Sequence, residues 1–214
     1  MTNFNLKSNN IISEREEKNM EKKINVVFIL DRSGSMHNCV EDTIGGYNEY
    51  LKKERERNSL ITTILFDDEY EVLHYRKESS NIKKLTNKEY FVRGCTALYD
   101  AIGKTIRKLE HDVKDEKVLF IITTDGLENA SKEYNKKSIS KLIKKHKDWE
   151  FIYLGANIDS YAEGESIGIS RDRISNFKKS KEGINEVFKA VSYLGECMAF
   201  DKQIDNNWKE KLDE

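Results

Sequence analysis

Cysteine is scarce in this chain. The three present, Cys39, Cys95 and Cys197, are odd in number and have no metal-ligand spacing. This argues against a disulfide scaffold and against a cysteine-based zinc site, and leaves reduced, buried or half-buried thiols, with a redox-sensitive Cys39–Cys95 pair as the lesser alternative. A surplus of charge is also missing: 37 basic residues stand against 38 acidic ones, a formal net charge of -1. Such a balance gives no bulk field for holding nucleic acid or an acidic membrane. No apolar run approaches the roughly 18 residues that span a bilayer. The first residues, rich in Asn, Glu and Lys, lack the apolar core of a secretory signal. These absences predict a cytoplasmic protein with neither nucleic acid nor membrane as a partner.

What is present is 37% hydrophobic and 35% charged residues in a chain of 214, the composition of one well-solvated globular domain. Residues 1–22 carry no sustained period and read as a flexible tail, within which Met20 is an alternative start after a stretch, Arg15-Glu16-Glu17-Lys18, that a purine-rich run can encode. The periodic part is residues 23–199, and residues 200–214 read as a polar helical extension. In that extension Ile204, Trp208 and Leu212 are spaced four apart, either to pack on the domain or to present a partner surface.

The centre of the chain is Ile24 to Met36, INVVFILDRSGSM: a buried strand that stops at a carboxylate and continues as a tight polar loop. Asp31, Ser33 and Ser35 alternate there, so their oxygens can converge on one point. One charge and two hydroxyls are too weakly anionic for a closed calcium cage but suit a small hard cation that keeps water or a partner's oxygen among its ligands. Asp and Ser after a strand also serve as turns and helix caps, so the motif needs its context.

That context is an alternation of strands and helices. Val40, Ile44, Tyr47 and Leu51 recur at helical spacing, with Lys52 to Arg57 as a charged close and Asn58 as the stop. Ser59 to Phe66 (SLITTILF) and Tyr70 to Tyr75 read as a hairpin that places an antiparallel strand at one sheet edge. A helix follows through Leu98, Ala101, Ile102, Thr105, Ile106 and Leu109, with Thr96 where an N-cap belongs. Lys117 to Thr124 (KVLFIITT) is a second buried strand ending in an acid, Asp125. The basic residues of Asn135 to Lys147 read as the solvated face of a crossover helix. Strands at Glu150–Leu154 and Arg173–Phe177, a short helix at Tyr161–Ile167 and a long last helix from Ile184 to Met198 complete the pattern. The predicted fold is α/β, doubly wound, with a mostly parallel six-stranded sheet, one antiparallel edge strand and helices on both faces. If strands one and four are neighbours, Asp31 and Asp125 meet at the switch-point crevice, within reach of the Thr96 hydroxyl.

DRSGS, GCTALYDAI and TTDG, in that order and at these intervals, resemble the von Willebrand factor A domain with its metal-ion-dependent adhesion site. The likeness spans roughly Lys22 to Met198, and TALYDAI and the GAN after the fifth strand are closest in flavour to intracellular bacterial and phage members. The resemblance implies that Ser33, Ser35 and Thr96 bind the metal directly and that Asp31 and Asp125 hold it directly or through water, the ion being Mg2+ or Mn2+. His37, Cys95, Asn157 and Asp159 are candidate rim residues. Cys95 replaces a glycine that many members carry. The implied function is a binding module, not an enzyme, that grips an Asp or Glu of a protein partner, by analogy an AAA+ ATPase or a neighbouring-gene product. A metal-stiffened scaffold binding through other surfaces and a metal-dependent hydrolase are the alternatives.

Overall fold

The computed structural model describes residues 23–212 apart from residue 58. The expected tail, the alternative start at Met20 and the helix stop at Asn58 lie outside the described residues. The strands are β1 (Asn25–Asp31), β2 (Leu60–Phe66), β3 (Tyr70–Glu78), β4 (Val118–Thr124), β5 (Trp149–Gly155) and β6 (Ile174–Asn176). The helices are α1 (Val40–Arg57), α2 (Leu98–Asp112), α3 (Lys136–Lys145), α4 (Ser160–Ser166) and α5 (Lys181–Ala199). Among the described residues no helix is long and apolar enough to cross a membrane.

The strands lie in the order β3-β2-β1-β4-β5-β6. Only β3 runs antiparallel to its neighbour. The sheet therefore grows one way from β1 to β3 and the other way from β4 to β6, which puts the reversal between β1 and β4. In register, Leu30 faces Thr123, so the chain leaves β1 at Asp31 and β4 at Asp125 on the same carboxyl edge.

Both central strands are buried along their whole length, as continuous apolar runs require when helices cover both faces. The period of two splits β1 between two cores. Val26, Phe28 and Leu30 pack under α1 and α5, and Val27 and Ile29 under α2 and α3. On the first side Phe28 meets Tyr47 and Tyr50 edge-on, with ring centroids 5.5 and 5.0 Å apart. The lysines of α3 do form an exposed face over Ile139, Leu142 and Ile143, and Asn135 with Ser138 closes a reciprocal capping box at its start.

Within the charged close of α1, Glu54 is fully buried, accepting from the Ser59 hydroxyl at 2.7 Å and from Arg57 at 2.9 Å. One expectation changes. In the segment read as a polar helical extension, the described residues hold one 3-10 turn at Asn206–Lys209. Trp208 and Leu212 there are buried in the α1/α5 core, and the indole N–H donates to the Asp172 carbonyl at 3.0 Å. Their apolar stripe is covered by the domain itself and offers no surface to a partner.

Candidate metal centre

Three loops meet where β1 and β4 end. Their backbones are joined: Gly34 N–H donates to the Gly94 carbonyl at 3.2 Å, Arg93 N–H to the Arg32 carbonyl at 3.0 Å, and Asn129 N–H to the Thr96 carbonyl at 3.0 Å. The Asn129 side chain in turn accepts from Thr96 N–H at 2.9 Å. Gly94 has φ +63, and a Cβ there would stand 1.7 Å from an oxygen of Asp68. Glycine is what allows the chain to turn into Cys95-Thr96 at that point.

Asp31 is 1% exposed. Its Oδ1 accepts from Ser33 N–H at 2.7 Å and its Oδ2 from the Thr124 hydroxyl at 2.6 Å. Burial outweighs these bonds and pushes its carboxyl up to about 6. The Ser33 and Ser35 hydroxyls are 3.1 Å apart, and Ser35 Oγ donates to Asp125 Oδ1 at 2.6 Å. Thr96 does not cap α2, whose N-cap position is Ala97 with no side-chain bond. Its hydroxyl instead flanks Gly126, where a Cβ would lie 3.0 Å from Thr96 Oγ1 and 3.8 Å from Ser35 Oγ. All five residues singled out in the sequence thus stand at one carboxyl edge, four of them tied by short hydrogen bonds and the fifth across Gly126.

Among the described residues no three His, Cys, Asp or Glu side chains gather as a cation cage. The donors here are two carboxylates and neutral hydroxyls, all hard oxygens, a set that fits Mg2+ or Mn2+ with positions left for outside oxygen. A wider groove of about 680 Å3 opens at the opposite end of the strands, lined by Glu110, His146 and Trp149 among others. Glu110 there already pairs with Arg107, Lys145 and His146, so its charge is matched from within.

No family model matches this sequence, and no curated protein matches it. Solved structures do. Proximal thread matrix protein 1 from the mussel byssus superposes with a TM-score of 0.63 at 18% identity, over 82% of this chain and 46% of that one. The VWA domain of SpRpn10 gives a TM-score of 0.55 at 13% identity, over 82% of this chain and 98% of that domain. The chain has a von Willebrand factor A-like fold. It spans less than half the length of the mussel protein, which is also known with a zinc-occupied MIDAS motif. Manganese-loaded TRAP from Plasmodium vivax shares the A-like fold with a TM-score of 0.57 at 17% identity, over 75% of this chain and 70% of that one.

Around the A-like site, His37, Cys95 and Asn157 are exposed, and Asn157 holds a positive φ of 56. Asp159 is engaged elsewhere, since its carboxylate accepts from Ala162 N–H at 3.0 Å and caps α4. Cys39 and Cys197 are buried and Cys95 exposed, all as free thiols. Two features were missed from the sequence. Leu127, two residues beyond Asp125, is 54% exposed, an apolar residue in a polar loop that its neighbours could have flagged. Lys179, before α5, donates to Asp125 Oδ2 at 2.6 Å. Nothing in the run Lys178-Lys179-Ser180-Lys181 distinguishes it from the lysines beside it.

Proposed function

We propose that this chain is a metal-dependent protein-binding module. Ser33, Ser35, Thr96, Asp31 and Asp125 would hold one divalent cation, Mg2+ or Mn2+, and a partner's Asp or Glu would complete its coordination. The observation that carries this reading is the hydrogen-bonded chain from Ser33 through Ser35 to Asp125 beside buried Asp31, at the switch point of an A-like sheet. The metal-bearing TRAP and mussel structures, similar in fold, support it. A cation on two carboxylates and neutral hydroxyls is not over-neutralised, and so retains attraction for an outside anion.

The chain's own residues supply the rest. Asp31 is oriented by Ser33 N–H and Thr124, and the two serine hydroxyls are held 3.1 Å apart before any ligand arrives. Such preorganisation lowers the ordering cost of binding. We do not read the site as catalytic. His37 is exposed while Cys39 is buried, with its thiol pushed up by that burial, so the two do not form an activated pair. Cytoplasmic placement, and a partner such as an AAA+ ATPase or a neighbouring-gene product, belong to this same proposal.

Calorimetric titration with manganese tests it. Wild type is expected to bind, alone or with acetate as a stand-in for the partner carboxylate. Asp31→Ala and Thr96→Ala are expected to lose that binding while keeping the wild-type circular dichroism. Equal binding in the variants, or none in wild type with acetate present, overturns the reading.

A further inference from the structure

Lys179 reaches the centre from the segment between β6 and α5, and that segment is fixed on both sides. Phe177 is buried and its N–H donates to the Gly155 carbonyl at 2.9 Å. Ser180 caps α5 by accepting from Gly183 N–H at 3.2 Å, and a Cβ on Gly183 would lie 2.0 Å from the Lys178 carbonyl oxygen. Between these anchors the Lys179 ammonium donates to Asp125 Oδ2 at 2.6 Å and to the Ser35 carbonyl at 2.5 Å. The lysine side chain is 15% exposed and the Asp125 side chain 1%. Since Asp125 Oδ1 already accepts from Ser35 Oγ, both oxygens of this acid are engaged.

We propose that Lys179 is a built-in cation that competes with the divalent ion for Asp125, so that the site takes its ion tightly only together with a carboxylate. This rests on the reading of the site as a divalent-cation centre. The charge count carries the argument. With the ammonium in place, Asp31 and Asp125 against Lys179 leave one net negative charge, half of what the two acids would offer alone. A cation at such a site gains correspondingly less Coulomb energy. A partner carboxylate restores the second negative charge, so ion and partner bind cooperatively, and by linkage each strengthens the other equally. Displacement of the ammonium from Asp125 also frees the 177–183 segment from its contact with the centre.

Manganese titrations with and without acetate test this in wild type, Lys179→Met, Lys179→Arg and Asp31→Ala. Lys179→Met should bind manganese alone at least roughly tenfold more tightly than wild type, the scale expected for removing one adjacent charge in a half-buried site. Acetate should tighten binding in wild type more than in Lys179→Met. Lys179→Arg keeps the charge and should stay weak. Hydrogen exchange of residues 177–183 should quicken in wild type when manganese and acetate are added. Equal affinity of Lys179→Met and wild type, with binding still lost in Asp31→Ala, overturns the role of Lys179 and leaves the metal centre standing. If wild type binds no manganese even with acetate present, the metal centre fails as well.

Discussion

Asp31 and Arg32 are neighbours in the chain, both charged and both buried at the end of β1, yet they belong to opposite kinds of environment. Arg32 is held by carboxylates of the β2–β3 hairpin: its Nε donates to Asp67 Oδ2 at 2.8 Å and its Nη1 to Glu71 at 2.7 Å. Arg93 also reaches Asp67 at 2.8 Å. Among the described residues Asp31 receives hydrogen bonds from Ser33 and Thr124 and no ion pair, and faces a second acid, Asp125, across the crevice. One side of the strand end is closed by matched charges. The other keeps two carboxylates, of which Asp125 alone is paired, with Lys179 from a separate loop. Buried charge that fixes the hairpin loop is balanced by its own surroundings, whereas under the proposed function the charge at the crevice is left in part to be balanced from outside.

The largest effect is expected at Arg32→Met. Removing one partner of a buried pair leaves Asp67 and Glu71 undercompensated, which costs about 3–5 kcal/mol, and Arg93 should hold the loss to the lower part of that range. Urea denaturation measures it. A loss under about 1 kcal/mol would mean that the hairpin side is no more tightly matched than the crevice side.

Asp31→Asn sharpens the contrast from the other side. Burial raises the folded carboxyl from 3.8 to about 6, so the folded state binds this proton more tightly than the unfolded chain does. The stability due to the protonated form is complete below pH 4 and is lost as pH rises through 6, by about 2–3 kcal/mol. In chelator, Asp31→Asn should therefore gain on wild type by that amount between pH 4 and pH 7, as read from denaturation midpoints. A difference that does not change with pH would refute the sign.

The smallest effect is expected at Gly94→Ala, in the loop that serves both environments. A left-handed backbone costs a side chain about 1 kcal/mol, with a little more to shift the Asp68 carboxylate. Thermal unfolding should drop by a few degrees. No drop would show that the loop has another way to reach Thr96.

Much of this was legible in the residues. Long apolar runs ending in Asp31 and Asp125 mark buried parallel strands because only a sheet covered on both faces tolerates such runs. Asp31, Ser33, Ser35, Thr96 and Asp125 could be picked out because their spacing fits a strand-end loop and a helix start. Arg32 and Glu54 could not, since a charged residue in a polar stretch reads as solvated until its partners are placed. Asp67 is 35 residues from Arg32, and Glu196, which shares Arg57 with Glu54, is farther still. The Trp208 stripe was legible as apolar, but whether it packed inward depended on where the chain turned after α5.

Element order and the two acid-ended strands could be read from the residues, because they follow from local periodicity and from residue chemistry. Which buried charges are matched became visible in the fold alone. That depends on contacts between segments far apart in the chain: Arg32 with the β2–β3 hairpin, Thr96 beside Gly126, and Lys179 reaching 54 residues back to Asp125.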